Sequence, residues 1–371
     1  MVLIINVSNN LDGGGLQVAL SFLKESANIN GHNYHVFLGK NVAKQIDKKA
    51  FSSEFQFYDI PKLKFWQFHK ILKPLEKQIK PDCVFTIFGP SYWKPNAPHL
   101  IGFAKGYYIY DEYIFFRQIS NYNRIKISLM KCIHMSLFIS QANHLVVETE
   151  DAEQRLRKIL NTDIIDVVSN TYGAHYLCYP IIANKLPNRK KNEIRLITIT
   201  KYYLHKNLES IPDVLEELER RNLCNITFTL TLDKKKYEKI IPLKWRKQVY
   251  NVGSIPIVEC PSLYNECDLL YLPTLLETFS VSYPEAMIMQ KPILTSNLSF
   301  AHSICRSSAL YFDPLSAKDI ADKIEFVINN RAIWLELIEE GKKRLQAFGT
   351  ARSRAEKYLH LCEKLAFGTL K

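Results

Sequence analysis

Short runs of apolar, often β-branched residues alternate with segments of helical periodicity along nearly all of the 371 residues. Because a parallel pair of strands needs a crossover that is usually a helix, this alternation predicts an α/β fold with mostly parallel sheets. In the first half we expect strands at 2–7, 34–38, 55–58, 83–88, 100–103 and 144–148, and a strand end at 166–170. In the second half we expect strands at 194–199, 226–232, 268–272, 292–295 and 309–312. Helices are expected at 16–27, 207–221, 281–290, 316–329 and 351–367.

A polar, basic stretch, Asn184–Glu193, separates the two alternating regions and has the composition of a linker. We therefore predict two Rossmann-like, doubly wound domains, one over residues 1–183 and one over 184–350. Each is long enough for a core of its own. The last segment, 351–371, is predicted as a helix that packs back on the N-terminal domain. In such sheets ligands bind at the carboxyl ends of the strands, so we expect a ligand in a cleft where the two domains face each other.

The charge is strongly unbalanced, with 49 Lys and Arg against 37 Asp and Glu and a net charge of +12. Such an excess indicates an anionic partner, which charge alone leaves open as nucleic acid, anionic lipid or a phosphorylated substrate. No nucleic-acid recognition motif accompanies it. The N-terminus lacks a basic leader and no window reaches the ~18 apolar residues of a spanning helix, so we expect a cytoplasmic protein. Scattered cysteines without a Cys-x-x-Cys pair predict reduced thiols and no metal site.

Three consecutive glycines, Gly13–Gly15, lie in the segment 9–17, between the first predicted strand and the first helix. Glycine allows close backbone approach, and the free N–H groups at a helix start attract an anion. The spacing differs from the Gly-x-Gly-x-x-Gly of dinucleotide sites. We interpret the segment as anion-binding, and the alternative is an ordinary flexible turn.

Two lysines, Lys201 and Lys206, follow the strand predicted at 194–199 and precede a helix. Either ammonium group could meet a phosphate as a mobile point charge. The alternative is that both are solvated surface lysines.

Two glutamates, Glu277 and Glu285, follow the strand predicted at 268–272. Glu277 falls at the start of a helix, where an acid can simply complement the helix dipole. Glu285 falls among apolar residues one to two turns later, where a carboxylate is costly to bury unless it has hydrogen-bond partners. The spacing of two glutamates is weak evidence by itself.

Two segments of the first half are basic and amphipathic. Residues 62–80 contain six lysines and a single acid, with Phe65 and Trp66 among them, and residues 113–147 contain four basic residues and no acid. Such segments suit a membrane surface. The alternative is a pair of helices that pack on their own sheet and leave their lysines in solvent.

Taken together, the run from Glu277 to Met287 resembles the acidic motif of the retaining GT-B glycosyltransferases of family 4, also called group 1. His205-Lys206-Asn207 is similar to the Lys-Gly/Asn segment of that family, and Val167–Asn170 is similar to its domain-joining strand. Further matching segments lie at 252–253, 263–274, 291–296, 309–314 and 319–321. The resemblance is dense over about 194–330 and thin before it, where mainly the glycine segment agrees.

The resemblance implies a GT-B fold and transfer of a sugar, with retention of configuration, from a nucleotide-sugar donor that is a substrate rather than a cofactor. Glu285 would hold the ribose hydroxyls and Glu277 the sugar hydroxyls. Lys206, with Lys201, would meet the diphosphate. The remaining donor contacts would come from Thr278, from the backbone N–H groups of Phe279 and Ser280, and from Gly14 and Gly15. Glu277 and Lys206 would be the catalytic residues, with Lys206 as the fixed cation that stabilises the leaving diphosphate.

The basic segments lie in the half that resembles acceptor-binding domains, so we expect a saccharide acceptor that is lipid-linked, at the inner face of a membrane, in bacterial-type surface polysaccharide synthesis. Three features depart from the family. Lys201 replaces a frequent Arg, Thr278-Phe279-Ser280 replaces Gly-Phe-Gly, and His99 starts a strand where many members carry a His at a strand end. A catalytically degenerate scaffold therefore stays an alternative. A non-hydrolysing sugar-nucleotide epimerase is another, although no convincing acid/base pair stands out.

Overall fold

The predicted strands form two parallel sheets in a computed structural model that describes residues 1–9, 12–110, 114–179 and 184–369. The first sheet has the order β3-β2-β1-β4-β5-β6-β7. Its strands are β1 Val2–Val7, β2 Asn33–Leu38, β3 Phe55–Asp59, β4 Cys83–Thr86, β5 His99–Gly102, β6 His144–Val147 and β7 Ile165–Val167.

The second sheet has the order β10-β9-β8-β11-β12-β13. Its strands are β8 Ile194–Thr198, β9 Ile226–Leu230, β10 Val249–Asn251, β11 Leu269–Leu272, β12 Ile293–Ser296 and β13 Ala309–Phe312. The sequence does not predict β10, which is a three-residue edge strand with one fully buried residue. The α/β prediction and both parallel sheets are confirmed.

Helices connect the strands, as parallel pairing requires. They are α1 Gly13–Ser26, α2 Lys40–Ala43, α3 Phe68–Ile79, α4 Gly106–Ile109, α5 Phe115–Gln118, α6 Asn121–Gln141, α7 Glu150–Leu160, α8 Ile211–Arg220, α9 Lys234–Ile240, α10 Cys260–Asn265, α11 Ser282–Ile288, α12 Ser299–Cys305, α13 Ala317–Asn329, α14 Arg331–Gln346 and α15 Ala351–Ala366. Among the described residues, no helix has both the length and the apolar character that crossing a bilayer needs.

The chain divides into two compact units, each containing one sheet. The first runs from the N-terminus to Asn170 and also contains α15, while the second runs from Thr171 to Gly349 and also contains Phe115. The division precedes the expected boundary between 183 and 184, because residues 171–179 also belong to the second unit. The polar stretch 184–193 lies in that unit, as expected. Its backbone at Lys185 and Leu186 donates to the Glu266 carboxylate at 2.9 and 3.0 Å, so this stretch does not behave as a free linker.

The C-terminal helix α15 packs within the first unit, where the sequence predicts it. Tyr358 contacts Phe22 of α1 edge-on at a centroid distance of 5.8 Å. The buried Arg354 donates to Ser21 at 2.8 Å and also to Asn170. The last helix of the chain therefore completes the core of the first unit.

The strand order reverses beside β1 in the first sheet and beside β8 in the second. In doubly wound sheets the loops that leave the carboxyl ends of the strands at such a point separate and form the binding crevice. In the second unit these are the loops after β8 and β11. The two strands pair with each other. The predicted lysines follow β8 and the predicted glutamates follow β11, so topology brings them to one edge of one sheet.

Candidate functional site

Lys206 is placed by a tight turn that follows β8. Leu204–Lys206 form one turn of 3-10 helix, and Asn207 ends it in the left-handed region with φ of 54°. Asparagine tolerates this conformation better than most residues. The Asn207 side chain is buried and donates to the backbone oxygen of Pro314 at 2.8 Å, which ties the turn to the loop after β13.

Glu277 forms an ion pair with Lys206, and both side chains are largely covered, with exposed fractions of 13% and 11%. The Thr274 hydroxyl donates to the Glu277 carboxylate at 3.3 Å and also contacts the backbone oxygen of His205 at 3.1 Å. The backbone N–H of Leu275 donates to that same oxygen at 2.7 Å. These bonds hold the loops after β8 and β11 together, so the two predicted catalytic residues meet.

His205 stays neutral beside this pair. Burial lowers the pKa of His205 to about 4, with the Glu277 charge opposing the shift and Lys206 adding to it. Its ring stacks on Tyr203 at a centroid distance of 5.4 Å. The cation at this edge near neutral pH is therefore Lys206 and not the adjacent imidazole.

The segment Thr278–Ser280 leads into α11 and is buried. The Phe279 ring packs edge-on against Phe348 at a centroid distance of 5.9 Å. The backbone N–H groups of Phe279 and Ser280 donate no hydrogen bond to another described residue. Buried N–H groups almost always have partners, so this pair is well suited to a ligand.

Glu285 lies in α11, where its side chain is largely covered and faces Tyr176 and Tyr264. Burial raises the pKa of the Glu285 carboxyl to about 8, although the two tyrosine hydroxyls oppose the shift. The two tyrosine rings lie 6.2 Å apart. The Tyr176 hydroxyl is buried and has no well-formed hydrogen bond to the described chain. The Glu285 carboxyl and the Tyr176 hydroxyl can therefore both form hydrogen bonds with a ligand.

Lys201 is exposed at the end of β8, close in sequence to the paired Lys206. The second unit therefore carries Lys201, Lys206 and the predicted residues from Glu277 to Glu285. Gly14 and Gly15 belong to the first unit.

The glycine segment forms the first turn of α1 rather than a loop ahead of it. The helix begins at Gly13, with φ of 53°, whereas the sequence predicts a start at Leu16. Gly14 is exposed, and an added Cβ would meet nothing within 4 Å. Asn10 and Leu11, which also belong to this segment, lie outside the described residues. The first-turn N–H groups follow β1, at the point where the strand order reverses.

His99 is a buried core residue at the start of β5. Its ring nitrogens contact the Thr86 hydroxyl at 2.8 Å and the Gln141 backbone oxygen at 3.0 Å. Burial lowers the pKa of His99 to about 3. Lys105 follows the carboxyl end of the same strand, and burial lowers the pKa of its ammonium group.

In the part of the chain that the structure describes, no group of three or more His, Cys, Asp or Glu side chains is arranged to hold a metal ion. The pairs Cys132/His134 and His302/Cys305, which have near-metal spacing in the sequence, gain no further ligand there.

The site geometry agrees with a comparison against protein families. Residues 182–344 match the model of the family described as glycosyl transferases group 1. This segment is a group 1 glycosyltransferase domain. The match covers nearly the whole second unit and confirms the resemblance to group 1 glycosyltransferases. No curated protein matches the chain.

Solved structures place the whole chain in the GT-B fold. The glycosyltransferase domain and the first unit together are similar to sucrose-phosphate synthase from Thermosynechococcus elongatus, with a TM-score of 0.75 and 15% identity over 98% of this chain and 99% of that chain. WaaG, a glycosyltransferase involved in lipopolysaccharide biosynthesis, gives 0.71 and 15% over 98% and 99%. Anabaena HepE in complex with UDP-glucose gives 0.71 and 12% over 98% and 100%. At these identities the likeness establishes the fold.

Sequence reasoning missed three side chains of the second unit. Thr274, which holds Glu277, lies three residues before it without any charge to draw attention. Tyr176 and Tyr264, which face Glu285, belong to segments remote from it in the sequence. The costly burial expected for Glu285 was the one available signal that polar partners had to exist.

Proposed function

We propose that the protein transfers a sugar from a nucleotide-sugar donor to a saccharide acceptor, with retention of configuration. The observation that carries this proposal is the meeting of Lys206 and Glu277 at the carboxyl edge of the second sheet, with Glu285 beyond them on α11. A leaving diphosphate accumulates negative charge, and a fixed ammonium group stabilises it. The N–H groups of Phe279 and Ser280, which have no partner among the described residues, supply further donors at the same edge.

The donor residues divide by the part of the ligand that each would contact. Glu285 accepts hydrogen bonds from the two ribose hydroxyls, and Glu277 accepts them from the sugar. Lys206 meets the diphosphate, with Lys201 as a second cation and the first-turn N–H groups at Gly14 and Gly15 as further donors. The HepE structures contain UDP and UDP-glucose, so uridine nucleotides are the first donors to test.

Incubation with a panel of UDP-sugars and saccharide acceptors should release nucleoside diphosphate only when both substrates are present. Since Lys206 rather than a bridging metal would meet the diphosphate, this turnover should survive EDTA. Loss of turnover with EDTA that added divalent metal restores would contradict the metal-free arrangement. Nucleotide binding without any release would favour a scaffold, and a change of the sugar without an acceptor would favour an epimerase.

We further propose that the acceptor is lipid-linked, in bacterial-type surface polysaccharide synthesis, and that the first unit docks on an anionic membrane. Support comes from the first half of α6, which projects large apolar side chains into solvent. Their exposed fractions are 74% for Tyr122, 61% for Ile125, 61% for Leu129 and 53% for Ile133. These positions share one face of the helix, and helices of this kind lie in membrane interfaces.

Basic residues accompany this apolar stripe. Arg124, Lys126 and Lys131 lie on the same helix, whereas the later Phe138 is fully buried in the unit. Phe65 and Trp66, with exposed fractions of 64% and 54%, form a second exposed apolar feature. Membrane docking would bring the enzyme close to an acceptor whose lipid anchor lies in the membrane.

The protein should sediment with vesicles that contain phosphatidylglycerol and should stay in solution with phosphatidylcholine alone. Each basic residue near an anionic surface contributes on the order of 1 kcal/mol, and salt screens that attraction. Replacing Ile125 and Leu129 by Ser should weaken binding by removing inserted apolar area. Reversing the charge of Lys62, Lys64, Lys70 and Lys73 to Glu should abolish it at physiological salt.

The matched control carries the same charge change on exposed lysines outside both segments: Lys24, Lys49, Lys158 and Lys235 to Glu. This control should keep most of the vesicle binding, because its lysines lie outside both basic segments. Equal loss in both quadruple variants would mean that net charge alone governs binding and would sink the docking surface.

A further inference from the structure

The first unit contains a cavity of about 520 Å³ that is unrelated to the donor residues. It opens at the carboxyl ends of two neighbouring strands, β2 and β3, which end in Leu38 and Asp59. Four lysines line it: Lys40, Lys44, Lys48 and Lys62. Its volume falls within the range of small-molecule sites, roughly 300–1,000 Å³.

The charge in this cavity is mostly uncompensated. Lys48 is neutralised by Asp59, whose two carboxylate oxygens lie 2.8 and 2.7 Å from its ammonium group. Lys40, Lys44 and Lys62 form no ion pair and no side-chain hydrogen bond with any residue of the described chain. Solvated lysines on a convex surface are ordinary. Three that converge on one concavity repel each other and together attract an anion.

The backbone fixes the points from which these lysines extend. Gly39 turns the chain tightly against the end of β1, where an added Cβ would lie 2.8 Å from the Ser8 backbone oxygen. The short helix α2 that follows begins with Lys40 and is capped by Lys44 in helical conformation four residues later, which puts both on the same side. Lys62 reaches the cavity from the other strand, after Pro61. Two separate pieces of chain therefore supply the uncompensated positive charge.

The rest of the lining is apolar and includes Ile60 and Pro61. A ligand that fits both surfaces has an anionic head and an apolar or sugar-like remainder. Lysine ammonium groups bind phosphate as point charges. A phosphate ester has this combination, whereas a bare inorganic anion would leave the apolar wall uncovered.

We propose that this cavity binds a phosphate ester, at a site of the first unit that goes beyond the proposed donor chemistry. The ester can come from a soluble phosphorylated molecule or from a lipid headgroup. Phe65 and Trp66 follow Lys62 closely in the chain, and the Lys64 ammonium group lies 5.1 Å from the Trp66 ring centroid. Aromatic side chains of this kind suit the interface of a membrane, so the experiment separates the two sources.

Acetylation of individual lysines, followed by mass spectrometry on the full-length protein, tests the site directly. Glycerol 3-phosphate at millimolar concentration should slow the labelling of Lys40, Lys44 and Lys62 together by about threefold or more. Lys24 and Lys49, exposed lysines of the same unit outside the cavity, should label at an unchanged rate. Glycerol, with ionic strength held constant by sodium chloride, should protect none of them.

Vesicles provide the second arm. Protection by glycerol 3-phosphate identifies a site for soluble phosphate esters. Protection only by vesicles that contain phosphatidylglycerol, and not by phosphatidylcholine vesicles, identifies a site for lipid headgroups. Protection by neither probe, or equal protection of Lys24 and Lys49, would overturn the proposal.

A charge-reversed variant, Lys40→Glu with Lys44→Glu, should lose the protection of Lys62, whereas Lys24→Glu with Lys49→Glu should keep it. Both variants should bind nucleoside diphosphate as the unaltered protein does, because none of these lysines belongs to the donor residues. If Lys62 is still protected in the variant with Lys40→Glu and Lys44→Glu, the three lysines do not bind one anion together. If the unaltered protein fails to bind nucleotide, that failure counts against the proposed donor site. It does not affect the lysine-protection result, which tests the cavity alone.

Discussion

The Glu285→Gln variant should bind nucleoside diphosphate about ten- to a hundredfold more weakly, since hydrogen bonds to a charged group contribute about 1.5–3 kcal/mol. The substitution keeps the shape of the side chain and one acceptor oxygen but removes the charge that two ribose hydroxyls would meet. Calorimetry with nucleoside diphosphate alone measures this loss without any sugar transfer. Wild-type affinity in the variant would remove Glu285 from the nucleotide site.

Binding should also release a proton. Because burial raises the pKa of Glu285 to about 8, the carboxyl is mostly protonated in the free protein at pH 7. Ribose hydroxyls donate best to the ionised carboxylate, so nucleotide binding lowers that pKa and drives the proton into the buffer. Calorimetry in buffers of different ionisation enthalpy should detect most of one proton per nucleotide. The Glu285→Gln variant should release none.

The same shift makes the stability depend on pH. The folded pKa of Glu285 lies above the unfolded value, so the folded state binds more protons between about pH 4.5 and pH 8. Its contribution to the free energy of unfolding is present below that range and is lost as the pH rises through it. Glu285→Gln cannot ionise, so its stability relative to the unaltered protein should increase from pH 5 to pH 9 by the order of a few kcal/mol. Thermal unfolding of both proteins at the two pH values measures this difference.

Tyr176→Phe separates the electrostatic role from simple packing. The Tyr176 hydroxyl holds down the pKa of Glu285, so its removal should raise that pKa further. Nucleotide affinity should then fall at neutral pH and recover partly at alkaline pH. A loss of affinity that does not change with pH would indicate a packing role only.

Local patterns predict the elements of this fold because each strand and helix carries its own periodicity. Parallel strands such as β1, buried on both faces, read as continuous apolar runs. The edge strand β10 is not predicted, because three residues with one buried side chain show no periodicity. The segment 184–193 misleads in the opposite direction. Its charges, typical of a linker, are used in bonds within the second unit, such as Arg189 to Asp268 at 2.6 Å.

The candidate site is only partly visible in the sequence. A motif identifies Glu277, Glu285 and Lys206 one by one, and topology explains why the loops after β8 and β11 come together. Nothing local shows that Lys206 and Glu277 form an ion pair, because their 71-residue separation leaves no periodic signal. The tyrosines around Glu285 and the lysines of the 520 Å³ cavity are likewise assembled by the fold from separate segments.

That ion pair makes the effect of one partner depend on the other. Lys206→Ala should weaken nucleoside diphosphate binding about a hundredfold or more, since it removes a cation and leaves a covered Glu277 carboxylate to repel the diphosphate. Glu277→Gln frees Lys206, so it should keep or improve nucleoside diphosphate binding while sugar transfer falls. Both variants should fold, because neither side chain belongs to the apolar core.

The double variant distinguishes coupling from two independent losses. With Lys206→Ala and Glu277→Gln combined, the repulsion disappears together with the attraction, so nucleoside diphosphate should bind about tenfold better than to Lys206→Ala alone. Calorimetry on the four proteins of this cycle gives the coupling free energy, and turnover should be lost wherever Lys206 or Glu277 is absent. If the double variant binds no better than Lys206→Ala, the carboxylate does not face the diphosphate. Glu277 would then serve to hold Lys206 in place, with Thr274 as its anchor, instead of contacting the sugar.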